Sequence, residues 1–558
     1  MLVRIRISLG FLGSANSKSV AGVPTPIPVS SESKRKQAGA LGASSRVALG
    51  ILASRITGLV RERVLGSYFG VGPIADAFRA SIRIPNLLSN LFGEGVLAAA
   101  FVTVYSKLLA AGEEEEAEHV AAAVFGILAG LCAILVALGV SFTPAFIDLV
   151  AAGFKGETRD LTIRLVRILF PAAGLAVMSA WCLGVLNSHR RFLLSYLAPV
   201  AMNVTILVIV IGLRHSPVPR LVIFAAWAYV AGSAMMFLVQ LPRVLELLPG
   251  FRPVFDWNSP NVRSVIGNFG PVFLSRGVVQ VSAYIDSYIA TWLPPGAVGV
   301  LGYAQVISVL PISLFSMAIS AAELPALSSA VGTDEEVAAF LRKRLIAGLR
   351  RIAFFIVPSA VAFLAIGDVL AGGLYVSGRF HQADATWVWS VLAGSAVGLL
   401  ATSLGRLYSS AFYALLDTRT PLRFAIVRVA LTTGLGFLFA FPLPRWLGID
   451  PKWGVAGLTA SAGIAGWVEF SLLRHALGKR IGATPLPATF TAKLWLVAFI
   501  AGAAGYGLKT VLGETHPIAT AIVVVSVYGA IYFGGTVLLG IQESRSFVES
   551  AMRRFRLA

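Results

Sequence analysis

Charge is scarce in this sequence, acid is scarcer still, and cysteine and histidine are close to missing. Only 13% of the 558 residues are charged, against about 25% in an ordinary soluble domain. With 57% apolar residues and a mean hydropathy of +0.80, a soluble globule would have nowhere to put its surface. The two cysteines, Cys132 and Cys182, both lie inside apolar blocks, which leaves no disulfide framework. The six histidines, at 119, 189, 215, 381, 475 and 516, are scattered, and none pairs at a metal-ligand spacing. A membrane enzyme would need acids or histidines gathered at the membrane surface, so that class is disfavoured. Lysine and arginine outnumber acids 46 to 27. This surplus does not imply nucleic acid, because membrane proteins collect basic residues in short cytoplasmic loops.

What is abundant is apolar length. Blocks such as Val120 to Val140 and Ile518 to Leu539 reach the roughly 20 residues that cross a bilayer as helix. The opening MLVRIRISLGFLG is basic, but its apolar run is too short for a signal peptide. Residues 1–45 read as a disordered basic cytoplasmic tail. Breaks in the apolar pattern then predict about fourteen helices: 46–70, 74–108, 119–152, 158–187, 192–213, 219–246, 262–294, 297–331, 343–376, 384–415, 420–443, 453–476, 487–511 and 517–540. The expected fold is an all-α polytopic membrane protein. Glu113 to Glu116 read as a solvated loop, and Asp334 to Glu336 as a solvated helix start after Thr333.

Loop charges give an orientation. Basic residues cluster in the tail (Lys34, Arg35, Lys36) and in alternate loops, among them Arg190–Arg191, Arg243 with Arg252 and Arg263, and Arg342–Lys343–Arg344. The loops between carry one or two each, such as Lys155, Arg214, Arg379 and Lys509. The positive-inside rule then places both termini in the cytoplasm. A faint internal echo accompanies this. Helix one ends in FGVGP before a helix holding Pro85, and helix seven ends in LPPG before a helix holding Pro311.

The most informative segment is 54–101. It sets Arg55, Arg61, Glu62, Arg63, Asp76, Arg79, Arg83 and Glu94 in otherwise membrane-like helices. A basic residue at the bilayer centre costs about 2.5–3.5 kcal/mol, so these groups should face a hydrated cavity or pair with one another. Arg55 and Glu62 share a helical face, as do Asp76 and Arg83 with Arg79 between them. Either the charges neutralise one another, or their positive excess favours an anion such as a diphosphate. Arg276 in helix seven and Glu323 in helix eight are further charges within predicted spans.

The runs SRITGLVRE, DAF at 76–78, PNLL at 85–88 and LFGEG at 91–95 resemble the signature of the MurJ (MviN) lipid II flippases. The pattern continues in GVLNSHRRF (184–192), AP at 198–199, Asn203, LYVSGRF (374–380) and FYALLDTRTP (412–421). This family sits within the multidrug/oligosaccharidyl-lipid/polysaccharide transporter superfamily. The resemblance implies two six-helix lobes around a central cavity, at 46–250 and 251–482. It adds two further helices at 483–541, followed by a cytoplasmic tail at 542–558. The implied activity is transfer of the undecaprenyl-diphosphate-linked peptidoglycan precursor, lipid II, to the outer leaflet of a bacterial inner membrane. Lipid II and membrane lipids are the implied partners, with the cell-wall synthesis machinery as a further one. Nucleic acid is not a partner, no cofactor is expected, and no catalytic residue is assigned.

Carried over residue by residue, the family's charged positions fall on Arg55, Arg61, Asp76, Glu94, Arg83 and Arg406. Two family arginines are replaced, at Ser89–Asn90 after PNLL and at Gln305–Val306 after Tyr303–Ala304, and Arg276 is a candidate replacement. Some relatives resemble sodium-coupled carriers, and Asp286 matches their seventh-helix acid, which makes it a candidate metal ligand. The helix-eleven partner positions read LTTGLGFLFA, without the expected Asn and Asp. Coupling to sodium or to the membrane potential is therefore an open expectation. So are a flippase or exporter of another solute in the same superfamily and a precursor-binding homologue that does not transport.

Overall fold

The computed structural model describes residues 31–93, 97–329, 332–513 and 515–545, with side chains from residue 50 onward except 84, 88, 98–99 and 270–283. Among these residues the regular structure is helical, apart from one isolated bridge between Ser377 and Phe380. The first six helices are α1 Ser31–Phe69, α2 (Pro73–Phe92 and Thr103–Ala111), α3 Glu114–Ser141, α4 Gly156–Ser188, α5 Phe192–Gly212 and α6 Val218–Leu247. The next six are α7 Pro260–Ala290, α8 (Ala297–Pro311 and Ala318–Ser328), α9 Asp334–Tyr375, α10 Gln382–Ala414, α11 Arg419–Ala440 and α12 Gly454–Ile481. Two more follow, α13 Ala488–Leu512 and α14 Pro517–Leu538. Among the described residues eleven helices are long and apolar enough to cross a membrane. The charged α1, the interrupted α2 and α7 complete the expected fourteen.

The interruptions are local and echo each other. α2 runs Pro73–Phe92 with Pro85 inside, then resumes through a π-helical turn Ala98–Val102 into Thr103–Ala111. α8 runs Ala297–Pro311, passes through a π-helical turn Ile312–Met317 and ends at Ala318–Ser328. Proline cannot donate to the preceding turn and crowds it; in α8 the π-helical turn follows Pro311 directly, while in α2 it lies thirteen residues beyond Pro85. The Pro85/Pro311 echo in the sequence thus has a structural counterpart.

Several expected boundaries move. α1 starts at Ser31, ahead of 46, so the backbone of residues 31–45 is helical, while residues 1–30 lie outside the description. The helix expected at 119–152 is two, because Phe142 leaves helical geometry before Thr143–Val150, whose first turn holds Pro144. Glu114 to Glu116 form the first turn of α3 and not a loop. Carboxylates there favour the positive end of the helix dipole, and Glu116 also accepts from Ser259 and Asn261. α9 begins with a capping box between Thr333 and Glu336, as the Thr333 reading anticipates. In the expected C-terminal tail, Glu543 is pinned by a bidentate pair with Arg350, at 2.6 and 3.2 Å, and residues 546–558 lie outside the description.

Packing separates α1–α6 from α8–α12, with α7 touching both groups and α13–α14 lying on α9. Small residues let the helices approach, as expected where lipid offers no hydrophobic drive between them. At the α10–α12 contact a Cβ on Gly398 would fall 2.2 Å from the Gly463 Cα. The chain between the two groups, Asp256 to Ser259, is tied to α3 through His119–Asp256 at 2.9 Å.

Candidate functional site

At the end of the bundle carrying residues 70–72, 291–296 and 376–381, α1 and α2 meet α8 and α9 through a set of backbone-directed bonds. Asp76 at the start of α2 accepts from the Gly296 and Gly299 amides, at 2.5 and 2.7 Å. These are first-turn N–H groups of α8, which have no partner within their own helix. Gly296 stands at φ +102, a conformation that favours glycine. Arg63 on α1 does the reverse. Its guanidinium donates to the Gly373 and Leu374 carbonyls at 2.8 Å each, and to Val376 at 3.4 Å, capping the C-terminal end of α9. An anion on a helix start and a cation on a helix end both lie with the dipole.

Around these caps the contact is close. The Arg379 amide donates to the Ser67 carbonyl at 2.8 Å, and the Tyr303 hydroxyl donates to the Gly70 carbonyl at 3.0 Å. Gly70, at φ +60, would place a Cβ 2.7 Å from the Arg379 carbonyl oxygen. The stretch just after SRITGLVRE (Arg63 to Gly70) and the motif LYVSGRF, some three hundred residues apart, therefore meet. Beside them a cleft of about 560 Å³ is lined in part by Arg63, Arg214 and Arg379.

Beneath the caps lies a buried ionic network. Glu62, 4% exposed, takes Arg61 on one oxygen at 2.8 Å and Arg79 on the other at 2.6 Å. Arg61 also donates to Asn203 at 2.8 Å, and the Asn203 amide reaches Thr57 at 3.1 Å. The Arg79 guanidinium lies over the Tyr303 ring at 4.4 Å, and Arg61 over Tyr229 at 5.3 Å. Two guanidiniums share one carboxylate, and the aromatic faces help to hold the surplus charge. Arg79 thus pairs with Glu62 and not, as its spacing suggests, with Asp76.

Deeper in the bundle, Arg83 donates to the Gln305 side chain at 2.6 Å, and its carbonyl accepts from the Tyr284 hydroxyl at 2.6 Å. Gln305 is one of the two positions that follow Tyr303–Ala304, where the resemblance leads one to expect arginine. On the α8–α12 side, Arg428 of α11 pairs with Glu469 of α12 at 3.2 Å. Arg406 on α10 lies within electrostatic reach of both. Asp286 on α7 lies within reach of Arg428 and Arg83, and its Oδ1 is buried with no hydrogen-bond partner among the described residues.

The candidate residues therefore do not form one cluster. Arg61 joins the Glu62 network, Asp76 is committed to α8, and Arg83 with Asp286 faces the Arg428–Glu469–Arg406 group. Arg55 is exposed, farther along α1. Glu94 lies outside the described residues, as does the Arg276 side chain. Glu323 is buried and held by Arg344 and Arg351 of α9, at 3.2 and 3.4 Å. Arg428 and Glu469 were missed in the sequence, although each is a charge inside an apolar span and could have been found by the argument applied to Arg55.

Comparison with known proteins bears on this arrangement. The family model described as "Lipid II flippase MurJ" matches residues 65–525. The lipid II flippase MurJ of Burkholderia cenocepacia is 31% identical over 458 residues, covering 80% of this chain and 84% of that protein. A probable lipid II flippase MurJ of Rhizobium tropici is 29% identical over 426 residues, covering 75% and 77%. Among solved structures, "Lipid II flippase MurJ, inward closed conformation" superposes with a TM-score of 0.73 at 22% identity, over 88% of this chain and 98% of that one. An inward-facing multidrug resistance MATE family transporter of the MOP superfamily gives 0.61 at 18% identity, over 78% and 98%. These two share the fold, and the match over most of the sequence goes further: this chain belongs to the MurJ lipid II flippase family.

Proposed function

We propose that this protein carries lipid II from the inner to the outer leaflet of the bacterial inner membrane by alternating access. The contact carrying Asp76, Arg63 and Tyr303 is its outer gate. That contact is the observation that supports the reading most. It joins α1–α2 to α8–α9 through helix-end caps, which can part and be rehydrated without breaking either lobe. The loop-charge alternation supports the polarity, with both termini cytoplasmic and the gate outside. Arg83, which reaches Gln305 of the other lobe, and Arg406, exposed on α10, are the groups we assign to the diphosphate. Arg63, Arg214 and Arg379 offer it a basic cleft beyond the gate.

The driving force follows from charge. A cell interior is negative, so outward movement of an anion runs down the membrane potential. Each charge gains about 2.3 kcal/mol per 100 mV. The diphosphate carries about two charges at neutral pH, so no co-transported cation is required on energetic grounds. The test is depletion of the protein in living cells, with precursor measured in each leaflet. Accumulation in the inner leaflet is expected. An unchanged distribution would favour another lipid-linked sugar as cargo, or a homologue that binds precursor without moving it.

A further inference from the structure

The sodium expectation rests on Asp286, and the charged groups that the described residues bring near that carboxylate are the wrong ones for a hard cation. Such an ion needs several oxygen ligands converging on one point. What converges here from α11 is the Arg428 guanidinium. It pairs with Glu469 of α12 at 3.2 Å and stands within electrostatic reach of Asp286. Arg83 approaches Asp286 from α2 and Arg406 approaches Glu469 from α10. Asp286 on α7 and Glu469 on α12 thus lie in the field of three fixed positive charges, of which Arg428 is in direct contact with Glu469. An additional cation entering between them would meet like charge on each side.

We infer that Arg428 is a tethered cation occupying the space between α7, α11 and α12, where it serves Asp286 and Glu469 in place of a dissociable ion. This chain therefore completes its cycle without binding sodium there. Helix geometry supports the placement. Arg428 is nine residues into α11, about 14 Å along its axis at 1.5 Å per residue, which is mid-span. Glu469 is likewise near the middle of α12. α11 and α12 pack along their length, and α7 touches both, with Ile289 against Gly436. A guanidinium suits the task because it stays charged at any physiological pH and offers several donors in one plane, enough for two carboxylates. A dissociable ion changes occupancy during a cycle, whereas Arg428 cannot leave. Asp286 and Glu469 can then exchange it between them, or share it, as α7 moves against α11 and α12. The inference concerns the ion and not the cargo, so it stands or falls apart from the lipid II reading.

The test is thermal unfolding of the purified full-length protein in lipid nanodiscs, in sodium, potassium or choline chloride at equal ionic strength. The wild type is expected to melt at the same temperature in sodium and potassium, and Arg428→Lys likewise. Arg428→Ala is expected to melt lower and to be raised by sodium or by millimolar methylguanidinium, but not by choline, because the vacated space now admits a small cation. A saturable, sodium-specific rise in the wild type that Asp286→Asn removes would overturn the inference. So would an Arg428→Ala variant that melts like the wild type, or one that melts lower and responds to no cation. Should Arg428→Ala fail to fold, the wild-type sodium comparison decides alone.

Discussion

Replacing Asp76 with alanine should open the gate. The carboxylate accepts from the Gly296 and Gly299 amides at 2.5 and 2.7 Å, and both bonds join one lobe to the other. A hydrogen bond to a charged group contributes about 1.5–3 kcal/mol net of its exchange with water. The two together therefore favour the closed state by about 3–6 kcal/mol, which is about 10²- to 10⁴-fold in the open-to-closed ratio. A cysteine at Val298 reads this out, because Val298 lies in the first turn of α8 and is 1% exposed when the gate is closed. The native Cys132 and Cys182 are buried and should stay silent. Cells carrying Val298→Cys are treated from outside with a membrane-impermeant maleimide. Labelling should be slow in the parent and faster by about two orders of magnitude or more in Asp76→Ala. Asp76→Asn, which keeps one carbonyl acceptor, should fall between. Equal labelling of parent and Asp76→Ala at equal protein levels would refute the gate assignment.

Two further outcomes follow from the charges. Glu62→Gln leaves Arg61 and Arg79 buried without their shared anion, and breaking such a pair costs about 3–5 kcal/mol. A large fall in melting temperature is expected, partly reversed in the double variant Glu62→Gln/Arg79→Met, and a neutral Glu62→Gln would contradict the network. In the loop before α11, the Thr420 amide and hydroxyl and the Arg480 guanidinium hold the Asp417 carboxyl down to about 2. Its folded value lies below its unfolded one, so its stabilisation is complete above about pH 4 and is lost as pH falls towards 2. The melting difference between wild type and Asp417→Asn should be flat through the neutral range and shrink below pH 4, and a difference that widens with acid would be inconsistent.

The sequence made one half of each gate interaction visible. Asp76 and Arg63 stand out because charge inside an apolar helix is costly, whatever it touches. Their partners do not stand out, because a peptide N–H or C=O at a helix end belongs to no residue type. Only Gly296 hints at one, through the conformation it allows. Arg79 shows the same limit from the other side. Its i+3 spacing from Asp76 offered a local partner, but the true partner, Glu62, lies on a different helix. Span number was legible because apolar length is additive along the chain. The Phe142 break and the π-helical turns were not, since they depend on how neighbouring helices meet.

That the gate is built from caps bears on how it can work. A lock made of ion pairs has a charge on both sides of each contact, so every contact that parts leaves two charges to be solvated. Here the partners of Asp76 and Arg63 are helix ends, whose free N–H and C=O groups water can take over when the caps leave. Opening exposes one carboxylate and one guanidinium to water, their ordinary solvent, together with backbone groups that hydrate well. The buried Glu62 network sits beneath the caps, and its Glu62–Arg61–Asn203 part is contained in α1 and α5. It can therefore ride with the first lobe, while Arg79, against Tyr303 and Gly302, is the member that crosses to α8. The carboxylate–guanidinium pairs of the Glu62 network thus stay within one lobe, and the charges that bond across the boundary at the caps have backbone partners that water can take over. A gate that must open in every cycle needs that division.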